Sequence, residues 1–301
     1  MSRLLRAGLA TLAVAGMVTA IAPVSYAAPA ARASAAAGAR HHDDGPPGVA
    51  APEAAIADAR TGRVLWSREL YIRRPIASIT KVMTALVVLR SGGIDNVLTV
   101  PRAVVSYVND QGASGAGLRP GDRLTVRELL YAMLLPSGAD AAYTLAQAYG
   151  PGLSGFVAKM NVTAAAIGMS QTTFSNFDGL PYPQHNADLS TAADLITLGR
   201  AAMRWSAFRA VVGSAGYSLR SGNGHHAYSW ANTDPLIGHY PGAMGIKTGW
   251  TPFTGHCLLF EVSLGGITLI GVNLDSPGKG TIVNGNDATA MLNWAFSQSD
   301  A

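Results

Sequence analysis

The sequence predicts an α+β fold: an antiparallel sheet packed against helices, with an all-helical middle region. Two β-like runs, 54–58 and 64–66, stand near the start of the folded part and are joined by a turn at 60–62. The middle of the chain carries apolar residues at helical spacing, between glycine and proline stops. The final third returns to short β-like runs and closes with a helix over 288–296. Strands at both ends of a helical middle indicate one sheet with helices packed on it.

Residues 1–27 have the pattern of a secretory signal peptide. Arg3 and Arg6 precede an apolar run over 7–22, and small residues lead to an A-x-A-like cleavage site near Ala27. The alternative is an uncleaved membrane anchor, although the apolar run is short for a helix that spans a bilayer. We therefore predict an exported protein that works outside the cytoplasm, in the cell wall or secreted.

Residues 28–48 are rich in alanine and poor in large apolar side chains, so we predict a disordered linker there. A single folded domain is then expected over 49–301. The His-His-Asp-Asp cluster at 41–44 could hold a metal ion, but a solvated linker is the simpler interpretation. We expect neither a metal nor a cofactor.

The charge of the chain argues against some classes of partner. The formal net charge of +4 falls to about +2 when the predicted signal peptide, with its two arginines and no acidic residue, is removed. Such a mild excess predicts no nucleic-acid binding and no strong membrane binding, and we expect a monomer. Cys257 is the single cysteine of the sequence, so no intramolecular disulfide can form, and its apolar surroundings predict a packed strand residue.

Local signals place the first elements of the middle region. A helix is expected to begin at Ser78 and to end at a Ser-Gly-Gly stop over 91–93. The glycine-rich stretch 112–117 predicts an exposed loop, and because it lacks a Gly-Lys-Ser/Thr ending it does not predict a nucleotide site. Thr125 and Glu128 form the capping box of a further helix that runs to about residue 135.

A proline then breaks the helical pattern. Pro136 ends one helix, and Ser137 to Asp140 opens another that runs through Tyr149. A Pro-Ser-Gly turn inside an apolar stretch can place Ser137 in a cavity, with an ordinary helix cap as the alternative. The remaining elements expected are helices over 153–167 and 192–204, the second capped by Ser190 and Thr191, and strands over 217–219, 227–230, 244–250, 257–264 and 267–274.

Ser78 and Lys81 form a candidate nucleophile and base. Residues three apart on a helix share one face, about one turn apart. A serine hydroxyl needs a base within hydrogen-bond reach, and a desolvated lysine amine can lose its proton and serve as that base. Free backbone N–H groups at the helix start would lie where an oxyanion forms. The alternative for this stretch is a capping serine with a solvated lysine.

Lysine is scarce in this chain, which strengthens the case for Lys81. Four lysines stand against eighteen arginines, and because arginine cannot be deprotonated, a site that needs a titratable amine must use lysine. A second lysine, Lys247, precedes Thr248 and Gly249 at the end of a predicted strand. A cationic amine beside a hydroxyl suits a carboxylate, and the glycine would leave room for a substrate backbone along the strand.

In this order these residues resemble the three motifs of the penicillin-recognising serine enzymes, S-x-x-K, S-x-N and K-T-G. The flanking sequence is most similar to that of the low-molecular-weight D-alanyl-D-alanine carboxypeptidases, over roughly residues 50–297. The flanking pieces are Pro-Ile-Ala-Ser-Ile-Thr-Lys-Val-Met-Thr at 75–84, Leu-Arg-Pro-Gly-Asp at 118–122, Asn-Thr-Asp-Pro-Leu at 232–236 and Gly-Ile-Lys-Thr-Gly-Trp-Thr at 245–251.

The resemblance implies a penicillin-binding catalytic domain with a fold like that of β-lactamases and transpeptidases. Ser78 would be the nucleophile, Lys81 its base and Ser137 a proton relay toward the leaving amine. The implied activity is a serine-type D-Ala-D-Ala carboxypeptidase that removes the terminal D-alanine from peptidoglycan stem peptides through an acyl-enzyme. β-Lactam antibiotics would acylate the same serine.

The resemblance also implies a substrate-binding strand. Lys247 and Thr248 would hold the terminal carboxylate of the substrate, next to Gly249. The backbone N–H groups of Ser78 and Trp250 would form the oxyanion hole. The residues implied for substrate binding are therefore Lys247, Thr248, Gly249 and Trp250.

The chain departs from the family pattern at Ala139, where the second motif has Asn. An alanine cannot hydrogen-bond the substrate amide or the Lys81 amine. The adjacent Asp140 is rotated by about 100° on a helix, so we do not expect it to replace the missing amide. The loss of one such polar contact costs about 1–3 kcal/mol. We expect this loss to affect the positioning of the substrate and the rate of the reaction.

Two other functions compete with a carboxypeptidase. A class A β-lactamase needs a glutamate for deacylation, and after Glu128 the sequence has only Glu261, in a predicted strand. A non-catalytic wall-binding protein that kept the fold is favoured only by Ala139. Covalent labelling by a fluorescent penicillin separates the second alternative from the enzyme.

Overall fold

The computed structural model describes residues 45–278 and 283–298. The predicted signal peptide, the metal alternative at 41–44 and most of the predicted linker lie outside the described residues. Residues 45–48, the last four of that linker, are described: Pro46 is buried and Gly45 lies against the Trp66 side chain.

The strands of the described residues are β1 (Glu53–Asp58), β2 (Val64–Arg68), β3 (Arg74–Pro75), β4 (Val97–Thr99), β5 (Arg123–Thr125), β6 (Leu189–Ser190), β7 (Gly216–Leu219), β8 (Tyr228–Ala231), β9 (Ala243–Thr251), β10 (Gly255–Leu264) and β11 (Ile267–Ser276). The helices are α1 (Thr80–Ser91), α2 (Ala103–Gln111), α3 (Val126–Leu134), α4 (Ala139–Tyr149), α5 (Gly152–Ala166), α6 (Ala192–Met203), α7 (Ser206–Val212) and α8 (Val283–Ser297), with a 3₁₀ turn over Ala77–Ile79 before α1. None of these described helices is long and apolar enough to cross a membrane.

A five-stranded antiparallel sheet in the order β2-β1-β11-β10-β9 organises the fold. Its strands alternate between two apolar cores, as the period of two requires. In β10, Leu258 and Phe260 pack with α8, whereas Cys257 and Leu259 belong to the core formed with the other helices. The predicted α+β class, with a helical region between the sheet strands, is confirmed.

The helix α1 lies at the centre of the larger core. Its residues from Thr80 to Leu89 are all buried, and it contacts α3, α4, α5 and α6. A helix that is buried on all sides belongs to the interior of a domain. The buried polar side chains of α1, those of Thr80, Lys81 and Thr84, are therefore held by other parts of the protein and not by solvent.

Several predicted local features are confirmed. Thr125 accepts a hydrogen bond from the Glu128 backbone N–H at 3.2 Å, and the Glu128 carboxylate accepts from the Thr125 N–H at 2.7 Å, which completes the capping box of α3. Thr191 caps α6 by accepting from the Asp194 N–H at 3.1 Å. Cys257 is fully buried in β10, and burial raises the pKa of its thiol to about 12, so it is a packing residue.

Other features differ from the prediction. The expected helix start at Ser78 is a 3₁₀ turn, and the regular helix begins at Thr80. The helices α2 and α7 were not expected, because α2 buries only Val104 along its length and α7 is short. The pairs β3–β6 and β4–β5 were also missed, since two- and three-residue strands carry too little periodicity to detect.

Candidate active site

The turn that carries Ser78 is held between two glycines from distant parts of the chain. A Cβ atom on Gly249 of β9 would lie 2.9 Å from the Ile76 carbonyl oxygen and 3.3 Å from the Ser78 nitrogen. On Gly179 it would lie 1.8 Å from the Ala77 carbonyl oxygen. Both backbones approach the turn closely because these residues have no side chain. The structure thus gives Gly249 a packing reason beside the role that the sequence suggested.

The close approach at Gly179 predicts a defined defect. Gly179→Ala places a methyl group into the Ala77 carbonyl, so we expect displacement of the Ser78 turn and at least a tenfold slower acylation by a fluorescent penicillin. Gly168→Ala is the matched control: its φ of +89° is close to the +85° of Gly179, but nothing lies within 4 Å of its added Cβ.

Both substitutions place an alanine in a left-handed backbone conformation, which costs about 1–2 kcal/mol. This cost should lower the melting temperature of the two variants by similar amounts. Gly168→Ala should keep the wild-type acylation rate. Equal acylation by the two variants would mean that the contact at Gly179 does not hold the Ser78 turn.

Lys81 contacts Ser78 directly. The Lys81 Nζ lies 3.1 Å from the Ser78 Oγ and donates a 2.7 Å hydrogen bond to the Asp178 carbonyl oxygen. The Lys81 side chain is 1% exposed. Burial lowers the pKa of this amine, and the negative charges of Asp178, Asp140 and Asp188 act in the opposite direction. The arrangement suits an amine that gives up its proton more readily than a solvated lysine.

Two threonines on α1 flank the lysine and hold the same segment of chain. Thr80 donates to the Asp188 carboxylate at 2.9 Å, and Thr84 donates to the Phe177 carbonyl oxygen at 2.6 Å. Asp188 also accepts from the backbone N–H groups of Ser175 and Asn176, at 2.6 and 3.0 Å. Burial raises the pKa of Asp188 to about 7.

Sequence reasoning missed the segment 175–188 as a wall of the site. A signal was present, because Thr80, Lys81 and Thr84 are the polar residues of the otherwise apolar stretch 80–89. Buried polar groups need partners, so their presence on a core helix indicates a polar segment packed against it. Which segment supplies the partners could not be predicted from sequence distance.

Ser137 lies in the turn between α3 and α4. Its backbone has a φ of 66°, in the left-handed region, and Gly138 is the residue that caps α4. The Ser137 Oγ is buried and has no hydrogen-bond partner among the described residues. A buried hydroxyl without a partner is unusual and is available to a bound substrate.

Ala139 and Asp140 connect this turn to the glycine-rich loop. The Ala139 N–H donates to the Ser114 carbonyl oxygen at 2.8 Å. The Asp140 carboxylate accepts from the backbone N–H groups of Ala116 and Leu118, both at 2.9 Å. Because both of its oxygens hold the loop, Asp140 does not replace the amide that Ala139 lacks, as expected.

Lys247 and Thr248 lie on the edge strand β9. Lys247 Nζ is 3.0 Å from the Thr248 carbonyl oxygen and 3.2 Å from the Thr248 Oγ1. That hydroxyl also lies 2.8 Å from the Thr233 Oγ1, which donates to the Leu135 carbonyl oxygen at 3.1 Å. This chain of contacts ties β9 to the end of α3, next to the Ser137 turn.

The pKa of Lys247 is lowered to about 7, mainly by burial and also by the nearby charge of Lys81, while the charge of Asp234 acts in the opposite direction. The Asp234 carboxyl is buried, and burial raises its pKa to about 6. A bound carboxylate would favour the protonated form of Lys247. The site therefore provides an amine whose charge depends on an anionic ligand.

Trp250 follows on β9 and leaves its side chain 58% exposed. β9 is the last strand in the sheet order, so one row of its backbone groups is not used in the sheet. The contact at Gly249 directs this edge toward the Ser78 turn. Nearby, Phe253 is 52% exposed and its ring stacks on His185 with centroids 4.0 Å apart.

The predicted residues thus fall into groups that the structure joins to different degrees. A hydrogen bond joins Ser78 to Lys81, and another joins Lys247 to Thr248. Packing at Gly249 brings the second group to the Ser78 turn. Ser137 is reached through Leu135 and Thr233, without a hydrogen bond of its own to Ser78 or Lys81 among the described residues.

Comparisons with known proteins agree with this geometry. The family model described as D-alanyl-D-alanine carboxypeptidase matches residues 40–278. The D-alanyl-D-alanine carboxypeptidase of Streptomyces sp. strain K15 is 38% identical over 249 residues, which cover 79% of this chain and 84% of the relative. The D-alanyl-D-alanine carboxypeptidase DacB2 of Mycobacterium tuberculosis is 35% identical over 80% of this chain and 81% of its own. The crystal structure of the Streptomyces K15 DD-transpeptidase matches with a TM-score of 0.78 at 37% identity, covering 83% of this chain and 98% of that one.

Proposed function

The chain belongs to the D-alanyl-D-alanine carboxypeptidase family of serine peptidases, and we propose that Ser78, Lys81 and Ser137 carry out the reaction of that family here. The protein is a serine-type D-Ala-D-Ala carboxypeptidase that removes the terminal D-alanine from peptidoglycan stem peptides through an acyl-enzyme. In this proposal β-lactams acylate the same serine. The observation that carries the assignment of residues is the buried Lys81 amine 3.1 Å from the Ser78 hydroxyl.

The acylation step follows from that contact. Neutral Lys81 takes the hydroxyl proton while the Ser78 Oγ attacks the carbonyl carbon of the penultimate D-alanine. The bond to the terminal D-alanine breaks, and its nitrogen receives a proton that Ser137 passes on. A water molecule then attacks the ester carbonyl, and Lys81 accepts one of its protons. As the ester bond breaks, Lys81 returns a proton to the Ser78 Oγ, which frees Ser78 and the shortened peptide.

The edge strand supplies substrate binding in this proposal. Lys247 and Thr248 hold the terminal carboxylate of the peptide, and Gly249 lets the strand lie against the Ser78 turn. The N–H groups of Ser78 and Trp250 are the proposed donors to the developing oxyanion, and such donors lower the activation free energy. The free edge of β9 supports an extended peptide pairing along it.

The substrate places the reaction outside the cytoplasm, where peptidoglycan is assembled. We propose an exported protein that works in the cell wall or is secreted, after removal of residues 1–27. We also propose that the protein acts as a monomer, and its low net charge supports a protein that does not bind nucleic acid.

One experiment tests the proposed activity. Wild-type protein is incubated with a pentapeptide that ends in D-Ala-D-Ala, and mass spectrometry follows the products; loss of one alanine is the expected result. A parallel incubation with added glycine as an amine acceptor detects transfer of the acyl group, since the K15 relative is named a transpeptidase in its structure. Intact peptide together with no labelling by fluorescent penicillin would favour the non-catalytic wall-binding alternative.

Ala139 offers a second test, because it removes an amide while the other motif residues remain. Ala139→Asn is expected to speed acylation by a pentapeptide and by a penicillin about tenfold, the equivalent of about 1.4 kcal/mol of transition-state stabilisation. Ala139→Leu is the control, since it adds similar bulk without hydrogen-bonding groups. Ala139 is 1% exposed, so an unchanged or lower rate with both substrates would show that the pocket is shaped around alanine.

A further inference from the structure

Tyr107 reaches the catalytic lysine through a single residue. Its hydroxyl donates a 2.9 Å hydrogen bond to the Asp178 carboxylate, and the carbonyl oxygen of the same Asp178 accepts the 2.7 Å hydrogen bond from Lys81. Lys81 in turn contacts Ser78. Three hydrogen bonds therefore run from a tyrosine on α2 to the candidate nucleophile.

The residue in the middle of this chain is completely buried. Asp178 is 0% exposed, and burial raises the pKa of its carboxyl, while Lys81 and the Tyr107 hydroxyl stabilise the ionised form. Its neighbours fix its backbone as well: Asn176 accepts from the N–H groups of Asp178 and Gly179, at 3.1 and 2.7 Å. A buried carboxylate costs free energy unless it is hydrogen-bonded, and Asp178 accepts from the Tyr107 hydroxyl and, at 3.3 Å, from the Leu180 N–H. The Tyr107 contact is the one that ties this carboxylate to α2.

The ring of Tyr107 is held independently of its hydroxyl. Its centroid lies 5.2 Å from that of Tyr143 and 5.4 Å from that of Phe177. These ring contacts place α2 against α4 and against the segment that carries Asp178. Removal of the hydroxyl alone would therefore leave the packing in place, which makes the two contributions separable.

We propose that Tyr107 is a positioning residue for Lys81, because its hydroxyl fixes Asp178 so that the Asp178 carbonyl oxygen holds the lysine amine against Ser78. This inference rests on the proposed role of Lys81 as the base. It assigns to α2 a task that the second motif cannot perform in this chain, where Ala139 offers no side-chain partner to the amine.

The first test is Tyr107→Phe, which deletes one hydroxyl and keeps the ring. The second-order rate constant of acylation by a fluorescent penicillin is expected to fall about tenfold, because a small misplacement of a reacting group has a large effect on rate. The loss should lie in the acylation step, with the affinity of the initial complex unchanged. The melting temperature should stay close to that of wild type.

Tyr143→Phe is the matched control. Tyr143 belongs to the same ring cluster, and its hydroxyl has no hydrogen-bond partner among the described residues. It should acylate at the wild-type rate. An equal fall in both variants, or no fall in Tyr107→Phe, would overturn the proposal.

A second pair of variants tests the link through Asp178 and leaves both tyrosines in place. Asp178→Asn keeps a side-chain oxygen that can accept a hydrogen bond from Tyr107. Its acylation rate at the optimal pH should therefore stay within about threefold of the wild-type rate. Asp178→Ala loses that anchor and should fall about tenfold, as in Tyr107→Phe. Adding Tyr107→Phe to Asp178→Ala should cause no further loss, because the two changes remove one interaction; additive losses would overturn the proposal.

The pH dependence of the acylation rate is a further measurement, and it should not change if Asp178 only supports the fold. The charged groups that face Lys81 are Asp178 beside its amine, Asp140 on α4, Asp188 before β6 and Lys247 on β9. The Asp178 charge raises the pKa of Lys81, so in Asp178→Asn the lysine loses its proton at lower pH. The acid limb of the acylation rate should move to lower pH, and an unmoved limb would contradict the coupling between Asp178 and Lys81 on which the proposal depends.

Failure of the Tyr107 role and failure of the proposed function give different results. Acylation of the wild type is measured first, and its absence would refute the carboxypeptidase mechanism itself. With wild-type acylation present, only the ratios between variants bear on Tyr107.

Discussion

Ser78→Ala is expected to abolish covalent labelling by penicillin and to reduce D-alanine release by at least about 1,000-fold, since the acyl-enzyme cannot form without the hydroxyl. The fold should survive, because the Ser78 side chain is only half-buried and the backbone of its turn is fixed by Gly179 and Gly249. Intact-protein mass spectrometry after incubation with a penicillin measures the covalent adduct, and peptide mass spectrometry measures the released alanine.

Ser91→Ala is the control for this substitution. Ser91 lies at the far end of α1, where its hydroxyl donates to the Val87 carbonyl oxygen at 2.9 Å. That variant should label like wild type. Labelling of Ser78→Ala on another residue, located by peptide mapping, would show that the nucleophile has been assigned wrongly.

Lys81→Arg is expected to slow acylation by about 100- to 10,000-fold, the range that general base catalysis contributes. Arginine keeps the positive charge but cannot give up its proton at any accessible pH. The rate constant of acylation by a penicillin, followed by stopped-flow fluorescence, measures the effect. Near-wild-type acylation would mean that Lys81 is an electrostatic partner and not the base.

Two further variants test whether slower acylation in Lys81→Arg comes from a packing defect. Lys81→Met keeps the length of an unbranched side chain without any charge and should be equally slow, with a melting temperature that reports on the fold. Lys159→Arg changes an exposed lysine on α5 and should leave acylation unchanged. A large loss in Lys159→Arg would trace the effect to something other than the active site.

The sequence alone predicted the elements whose signals are local. The capping box at Thr125 and Glu128 needs two residues three apart, and both hydrogen bonds are present. The strands β9, β10 and β11 were predicted from short β-like runs over 244–250, 257–264 and 267–274, and all three are found in the sheet. The spacing of Ser78 and Lys81 predicted a shared face, and the 3.1 Å contact agrees with it.

Tertiary structure decided what surrounds those residues. Asp178 lies 97 residues from Lys81 in the chain, and no periodicity indicates that its carbonyl oxygen meets the amine. Gly249 was interpreted as room for substrate, whereas its backbone also packs against the Ser78 turn, 171 residues before it. Both contacts depend on how α1, β9 and the segment 175–188 pack, which is a property of the whole core.

The type of a catalytic residue can thus be predicted from local sequence, whereas its environment depends on the tertiary structure. A nucleophile and its titratable amine can be identified from residues within one helical turn, because helix geometry makes residues three or four apart neighbours. The pKa of that amine and its hydrogen-bond partner depend on burial and on groups from distant segments of the chain. Only folding brings those segments close to the amine. Lys81 shows both: its type and spacing were readable, but its partners Asp178 and, through it, Tyr107 were set by the packing of α1 against the rest of the domain.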